Sequence, residues 1–280
     1  MRLLRAVACL LGWGACAAVP PGPVTVPEPE PFDVVVTPPL LVVAEEPPPP
    51  GRLGDTVVPQ AYQLDVEVDP EATGYRGRVR IALTLERAAS SLWLHAGSEL
   101  TIESAVLERD DQRLSLRTLT APPDRQLLGF GFDALGAGPA TLEIVFAGTY
   151  RAEDGVFAQS ENGRSYVYTD FEPTDARRGF PCFDDPRFKT PWTVSVVLDR
   201  ALAVFSNTTA TGEEALDGER KRVTFAATPP LPSYLVAFAA GPFETVDVEG
   251  TAVPTRIIVP AGQAASAAAA RALVAPLYRV

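Results

Sequence analysis

Residues 62–69 read YQLDVEVD, a stretch in which polar and apolar side chains alternate with a period of two. Such alternation is typical of a β-strand with one buried and one exposed face. Gly, Pro, Asp or Asn residues separate the similar runs that follow, as turns require. About ten such runs predict a mainly β fold, a saddle-like antiparallel sheet assembly or sandwich. The runs lie at 62–68, 79–85, 92–94, 114–116, 130–132, 142–146, 167–169, 194–198, 203–205, 223–225 and 234–238.

The first 18 residues have the features of an export signal. Arg2 and Arg5 form a basic region, residues 6–11 are apolar, and small residues follow at 15–18. We therefore predict a signal peptide over residues 1–18 and an exported chain, in the periplasm, on the outer surface or outside the cell. A lipoprotein signal acylated at Cys16 is the alternative, and only acylation would attach the chain to a membrane. No later apolar run reaches the ~18 residues of a membrane span.

Residues 19–54 are predicted to be a disordered linker. Positions 20–54 hold 12 of the 28 prolines of the chain, including four consecutive ones at 47–50. Such a segment favours extended polyproline II geometry and cannot pack a core. The folded β domain is therefore predicted to span residues 55–243.

Residues 244–280 differ in character from the β domain. Val253, Thr255, Ile257 and Val259 predict one more strand, and an Ala-rich run at 264–274 has high helix propensity. Pro276 is expected to interrupt that helix. We interpret this segment as the start of a further domain; the alternative is a helix that docks on the β domain and ends the protein.

The net charge of −11 bears on the choice of partner. An acidic surface repels phosphate backbones, so we expect no nucleic-acid partner. The same surface would weakly attract cationic groups such as peptide amines.

The chain has few residues suited to catalysis. It contains one histidine, His95, so an H-E-x-x-H zinc motif is impossible. It also lacks a G-x-S-x-G elbow and a phosphate-binding loop. We expect His95 to be a structural or surface imidazole, Cys182 a buried thiol, and the Asp184-Asp185 pair a turn or cap. We therefore predict no catalytic residue and no metal ligand in this chain.

The segment from Tyr168 to Lys189 carries the densest set of polar and aromatic residues, YTDFEPTDARRGFPCFDDPRFK. Thr174 is predicted to cap one short helical turn, with Pro173 stiffening the approach to it. Three phenylalanines would attach the loop to the core: Phe171, Phe180 and Phe183. Glu172 would then be held on a rigid edge beside the end of a strand.

This segment resembles the signature of the aminopeptidase N family, the M1 zinc metallopeptidases, in their N-terminal β domain. The run PCFDDP at 181–186 is similar to the turn that ends the family signature. The runs PQAYQLDV at 59–66 and LPSYLVAFAAGPFE at 231–244 resemble the first and last strands of the same domain. The resemblance spans residues 56–260 in the order of the family.

The resemblance implies a function for Glu172. In that family the β domain packs on a thermolysin-like α/β catalytic domain. In the members that carry an acidic residue at this position, the glutamate that matches Glu172 binds the free α-amine of the peptide substrate. A carboxylate pairs with such an amine through charge-assisted hydrogen bonds. The resemblance thus implies a peptide N-terminus as ligand and Glu172 as its binding residue.

The departures from the family are equally informative. The G-x-M-E-N loop, the zinc helix, its further Glu ligand and the catalytic Tyr all follow this domain in the family, and none occurs in this sequence. We therefore expect residues 244–280 to be the start of a truncated catalytic domain. Zinc would belong to the full-length enzyme, with no cofactor bound by this chain, which would be inactive alone. The alternatives are a stand-alone, non-catalytic secreted binding module and a structural surface protein on a Pro-rich stalk.

Overall fold

The computed structural model describes residues 41–277, so the predicted export signal, the possible acylation site Cys16 and most of the predicted linker lie outside the described residues. Seventeen strands and two short α-helices lie within the described range. They are β1 (Val57–Glu67), β2 (Gly74–Leu85), β3 (Ala89–His95), β4 (Leu100–Arg109), β5 (Gln112–Ser115), β6 (Arg117–Leu119), β7 (Leu127–Leu135), β8 (Gly138–Thr149), β9 (Gly155–Glu161), β10 (Arg164–Asp170), α1 (Ala176–Gly179), β11 (Trp192–Asp199), β12 (Ala203–Ser206), β13 (Ala210–Leu216), β14 (Arg220–Phe225), β15 (Phe238–Gly241), β16 (Phe243–Val248), β17 (Thr255–Pro260) and α2 (Ala268–Leu277). The predicted mainly β, antiparallel fold is confirmed.

The largest sheet has eight strands in the order β13-β14-β11-β1-β2-β8-β4-β5. All neighbours are antiparallel except β1 and β11, which run parallel with Tyr62 opposite Trp192. Alternate side chains of its central strands are fully buried, as the period of two predicts. The rings of Tyr62 and Trp192 stack with centroids 3.8 Å apart, which fixes this register.

Three smaller sheets complete the described fold. One has the order β12-β15-β10-β9, a second is β3-β7-β6, and the third is the hairpin β16-β17. Three of their strands, β6, β9 and β16, escaped the sequence pattern because they are short or lack alternation; in β9, for example, the first two residues are buried and the last three exposed. β10 is central to its sheet, so its carboxyl end is held between neighbours on both sides.

Residues 41–54 lie on the β domain, although the sequence placed them in a linker unable to pack. The side chain of Leu53 is only 3% exposed. The indole N–H of Trp93 donates to the Glu46 carbonyl (2.9 Å), and the Glu46 N–H donates to Ser91 Oγ (2.8 Å). Proline-rich backbone lacks donors but keeps its carbonyls, so side chains such as Arg125, bonded to the Pro49 carbonyl, can hold it.

The predicted strand and helix near the C-terminus are both present. A 3-10 turn at Ala264–Ala267 precedes α2, which runs to Leu277 and includes Pro276. The expected interruption of the helix at Pro276 is therefore wrong, since the helix continues through that residue. A proline so close to a helix end removes only a single hydrogen bond. Leu273 and Leu277 are exposed at 65% and 72%. Assignment of residues 244–280 to a catalytic domain stays a prediction. No helix among residues 41–277 is long and apolar enough to cross a membrane.

Candidate functional site

Glu172 lies in the turn that follows β10 and is exposed to solvent. Its backbone N–H donates to Asp170 Oδ1 (3.4 Å), a local bond across the turn. Within residues 41–277 its carboxylate has neither an ion-pair nor a hydrogen-bond partner. The structure therefore presents Glu172 as an unpaired carboxylate at a strand end, where the sequence placed it.

Aromatic packing fixes the base of this loop. Phe171 and Phe180 are both 1% exposed, and their rings meet edge to face at 5.2 Å. Phe180 in turn contacts Trp192 at 5.5 Å. The predicted attachment of the loop to the core by Phe171, Phe180 and Phe183 is confirmed. Gly179 allows the close approach, since a Cβ there would come within 2.5 Å of the Phe171 ring.

The predicted capping role of Thr174 is wrong. Helix α1 begins one residue later, with Asp175 at the N-cap position and no side-chain cap. The Asp175 N–H donates to the Phe171 carbonyl (2.9 Å), and its carboxylate pairs with Arg178 (3.1 Å). Thr174 is left exposed. The cap position shifted because the backbone bond to Phe171 closes the turn at Asp175.

Asp184 forms a buried ion pair, although the sequence predicted a turn or cap role. Arg177 donates through Nε to Asp184 Oδ2 (2.7 Å) and through its terminal nitrogen to the Asp184 carbonyl (2.8 Å). The hydroxyl of Ser233 donates to the other carboxylate oxygen. The side chains of Asp184 and Arg177 are 3% and 15% exposed. Asp185 does accept a turn bond, from the Arg187 N–H (3.2 Å).

His95 and Cys182 have structural roles, as predicted. Their backbones exchange two hydrogen bonds, and His95 Nδ1 accepts from the Asp184 N–H (3.2 Å). Burial, helped by the positive charge of Arg177, lowers the pKa of His95 to about 4, so the imidazole is neutral at pH 7. Burial and the charge of Asp184 raise the pKa of the Cys182 thiol. A protonated, buried thiol is a poor nucleophile.

These residues do not fit a zinc site. Among residues 41–277, no group of three or more His, Cys, Asp or Glu side chains is arranged to hold a metal ion. The Nδ1 atom of the single histidine is occupied by a backbone donor, and Cys182 is far from the thiolate form that zinc binds.

The chain is similar in sequence to known peptidases over most of its β domain. The Peptidase M1 N-terminal domain family matches residues 58–235. The chain is 34% identical over 206 residues to glutamyl aminopeptidase of Homo sapiens and 30% identical over 223 residues to that of Bos taurus. It is 31% identical over 225 residues to the mitochondrial aminopeptidase 2 of Saccharomyces cerevisiae. These alignments cover 70%, 74% and 75% of this chain.

The mainly β architecture over the matched residues is that of a peptidase N-terminal domain. The chain belongs to the M1 peptidase N-terminal domain family. It spans about a quarter of the length of the relatives named above, 22% to 23%. M1 aminopeptidases are zinc enzymes.

Two parts of the site were not found from the sequence. One is the pairing of Arg177 with Asp184 and Ser233; the other is a cluster in which Glu99 accepts from Arg151 (2.5 Å) and lies 3.7 Å from Arg178. A usable signal was present, since two arginines stand between phenylalanines in a segment predicted to pack on the core. Charged residues in such a setting must find partners.

Proposed function

We propose that this chain is the N-terminal domain of an exported M1 zinc aminopeptidase and that Glu172 binds the α-amine of the peptide substrate. The observation that supports this is the unpaired, exposed carboxylate of Glu172 on a loop with a buried aromatic base. A group that must receive a ligand needs to be free of protein partners and held in one place. The carboxylate of Glu172 has no partner among the described residues, and the buried aromatic base holds the loop that carries it.

The chemistry of the pair follows from charge. The α-amine of a peptide has a pKa of about 7.7–8.0, so it is mostly protonated at neutral pH. A hydrogen bond to a charged group contributes about 1.5–3 kcal/mol. At 1.4 kcal/mol for each factor of ten, the pair is worth roughly 10- to 150-fold in affinity. Only a peptide with a free N-terminus gains this contribution, so the enzyme would remove terminal residues.

Hydrolysis itself is assigned to a segment outside this chain. The described residues offer no zinc ligand set, so the metal and the group that activates water would come from the catalytic domain. Residues 244–280 would begin that domain. In this proposal the chain alone does not hydrolyse peptides, and release of an amino-acid arylamide by the purified chain with added zinc would contradict it.

The reading frame beyond codon 280 gives the first test. We expect it to encode an H-E-x-x-H motif within the next few hundred bases. An immediate stop codon followed by an unrelated gene would instead favour a stand-alone secreted binding module. Amino-terminal sequencing of the exported protein tests the predicted signal, and fatty acid on Cys16 would establish membrane attachment.

The decisive test compares two inhibitors of the complete protein, a substrate analogue and the same molecule without its α-amino group. Their inhibition constants give an amine preference, which we expect to be about 10-fold or more in the wild type. Glu172→Gln and Glu172→Ala should bring that ratio close to one. An unchanged ratio in both variants would overturn the role of Glu172.

Glu71 provides a matched control for this test. It is an exposed carboxylate in a turn, and its N–H donates to Asp69 Oδ1 (2.9 Å), as the N–H of Glu172 does to Asp170. Glu71→Gln removes the same charge from the same local geometry. We expect it to leave the amine preference unchanged, which separates a specific contact from a general loss of negative charge.

A further inference from the structure

Beneath the Glu172 loop lies the charged network already described, centred on Arg177 and Asp184. Arg177 is the second residue of α1 and lies five positions after Glu172. Its guanidinium binds both a carboxylate oxygen and the backbone carbonyl of Asp184, so two parallel bonds fix its orientation. Its own carbonyl accepts from the Gly97 N–H (2.6 Å). The two ends of segment 177–184 are therefore bonded to each other. Arg177 is also bonded to Gly97, in the segment that follows β3.

The same network continues to the start of the loop. Ser233, bonded to Asp184, opens the 3-10 turn Ser233–Leu235 that precedes β15. β15 pairs with β10, the strand that leads into Glu172. Thr169 Oγ1 both donates to the Phe238 carbonyl (3.0 Å) and accepts from the Phe238 N–H (2.9 Å). Asp184 is thus linked to the chain after Glu172 through Arg177. It is linked to the chain before Glu172 through Ser233 and the strand pairing of β15 with β10.

An ion pair is a costly way to stabilise such a loop. Desolvation of two charges often offsets their attraction, and apolar residues of similar volume can stabilise a fold as well or better. A guanidinium–carboxylate pair is directional, whereas apolar packing is not. The planar guanidinium donors bind the carboxylate in only one geometry. A loop that carries a ligand-binding carboxylate benefits from that directionality, since an error of about 1 Å in position can cost roughly 100-fold in rate.

We propose that Arg177 and Asp184 are positioning residues that hold Glu172 in place for the substrate amine. This inference rests on the proposed function of Glu172. Neither residue contacts the ligand; both act through the backbone of the loop.

The first experiment measures the loop without any substrate. Trypsin cleaves after arginine, and Arg177 and Arg178 lie in the loop itself, so cleavage there reports local opening. In Asp184→Asn, we expect cleavage after Arg177 or Arg178 to accelerate by about tenfold or more, because the local opening becomes more populated. Leu107→Ala is the control, because it removes a fully buried side chain from β4 and lowers the stability of the whole domain. Trypsin should therefore cleave this variant faster at all of its sites, not only after Arg177 and Arg178.

The second experiment measures the amine preference of the complete protein, defined above by two inhibitors. Asp184→Asn should lower that preference several-fold while Glu172 itself is intact. Arg177→Lys, which keeps the charge but cannot form both bonds, should give an intermediate value. Leu107→Ala should leave the preference at its wild-type value, since a loss of global stability does not alter a ratio measured on folded protein. Equal preference in Asp184→Asn and wild type would overturn the proposal.

Ser233→Ala keeps the proposal testable should Asp184→Asn fail to fold. It removes one neutral donor and leaves both charges, so we expect smaller changes in the same direction in both experiments. If trypsin finds the loop equally closed in Ser233→Ala, Arg177→Lys and wild type, the positioning role is wrong, whatever Glu172 does. If Glu172→Gln leaves the amine preference unchanged while trypsin shows the expected opening of the loop in Asp184→Asn or Ser233→Ala, the proposed function fails instead. The two failures are therefore distinguishable.

Discussion

The polar network beneath the Glu172 loop and the outer face of the eight-stranded sheet use the same chemistry in different surroundings. On the sheet, Arg78 pairs with Asp65 (3.2 Å), and the two side chains are 48% and 32% exposed. Under the loop, Arg177 pairs with Asp184 (2.7 Å), and the exposures are 15% and 3%. Solvent screens the first pair and contributes little screening to the second. The two ion pairs therefore differ in strength, because solvent weakens the pair on the sheet whereas burial preserves the attraction and the fixed geometry of the pair under the loop.

The origin of the two sets also differs. On the sheet, partners stand directly opposite each other in the strand register. These pairs are Asp65 with Arg78, Arg80 with Glu143, and Glu214 with Arg222. They arise wherever two polar faces of adjacent strands align. The pair under the loop joins Arg177 in helix α1 to Asp184 in an irregular segment. Its geometry therefore depends on the conformation of the whole loop.

The largest expected effect is the loss of the buried partner. Asp184→Asn leaves the Arg177 guanidinium inside the protein without its counter-ion. Breaking a buried pair in this way costs about 3–5 kcal/mol. Urea unfolding followed by circular dichroism should show that loss. A cost below about 1 kcal/mol, the range of exposed pairs, would mean that the pair is effectively solvated and would remove the contrast.

The next effect depends on pH and concerns His95. Its pKa in the folded protein is about 4, below the unfolded value of 6.5. The neutral imidazole therefore contributes stability that is fully present above about pH 6.5 and is lost as the pH falls towards 4. At about 1.36 kcal/mol per pKa unit, the loss amounts to roughly 3 kcal/mol. Denaturant unfolding at pH 7 and pH 4 measures it.

His95→Asn is the matching variant, because the asparagine oxygen can still accept the hydrogen bond from Asp184 but does not titrate. We expect its stability to fall less between pH 7 and pH 4 than that of the wild type, by about 3 kcal/mol. All carboxylates are common to the two proteins, so their contributions cancel. Parallel pH profiles would mean that His95 is not held neutral by its surroundings.

A smaller effect is expected from the hydroxyl of Tyr62. It accepts the hydrogen bond of the Phe183 N–H (3.0 Å) at the edge of the same network. Tyr62→Phe keeps the stacking on Trp192 but leaves that buried donor unpaired, which costs about 1–3 kcal/mol. Thermal or urea unfolding would show it. Full retention of stability would indicate that water reaches Phe183, and hence that the network is less enclosed than the burial of its members implies.

The sequence predicted those parts of the molecule that depend on local pattern. The alternation at 62–68 and 79–85 identified β1 and β2, and the phenylalanines at 171, 180 and 183 identified the buried base of the loop. It could not predict the parallel pairing of β1 with β11, because register between distant strands depends on the whole sheet. It also missed the bond between Ser233 and Asp184, since these two residues are separated by 49 positions in sequence.

The predicted linker illustrates the same limit from another side. Composition indicated that residues 41–54 cannot build a core alone; of these residues only Leu53 enters the core, and the others lie on a surface that the β domain provides. Composition describes what a segment can form alone, whereas docking depends on donors such as Trp93 elsewhere in the chain. For Glu172, the sequence predicted a place on an edge beside the end of a strand, and its role in binding stays a prediction.

The smallest effect is expected for the exposed pair of Arg78 and Asp65. A double-mutant cycle of Arg78→Ala and Asp65→Ala isolates the coupling of one exposed, register-paired ion pair. We expect about 0.2–1 kcal/mol, falling further as salt is raised, because solvent and counter-ions screen both charges. Urea unfolding at low and high salt measures it. A coupling as large and as insensitive to salt as that of Arg177 with Asp184 would show that the strand register alone can make an ion pair strong, and burial would no longer explain the difference between the two regions.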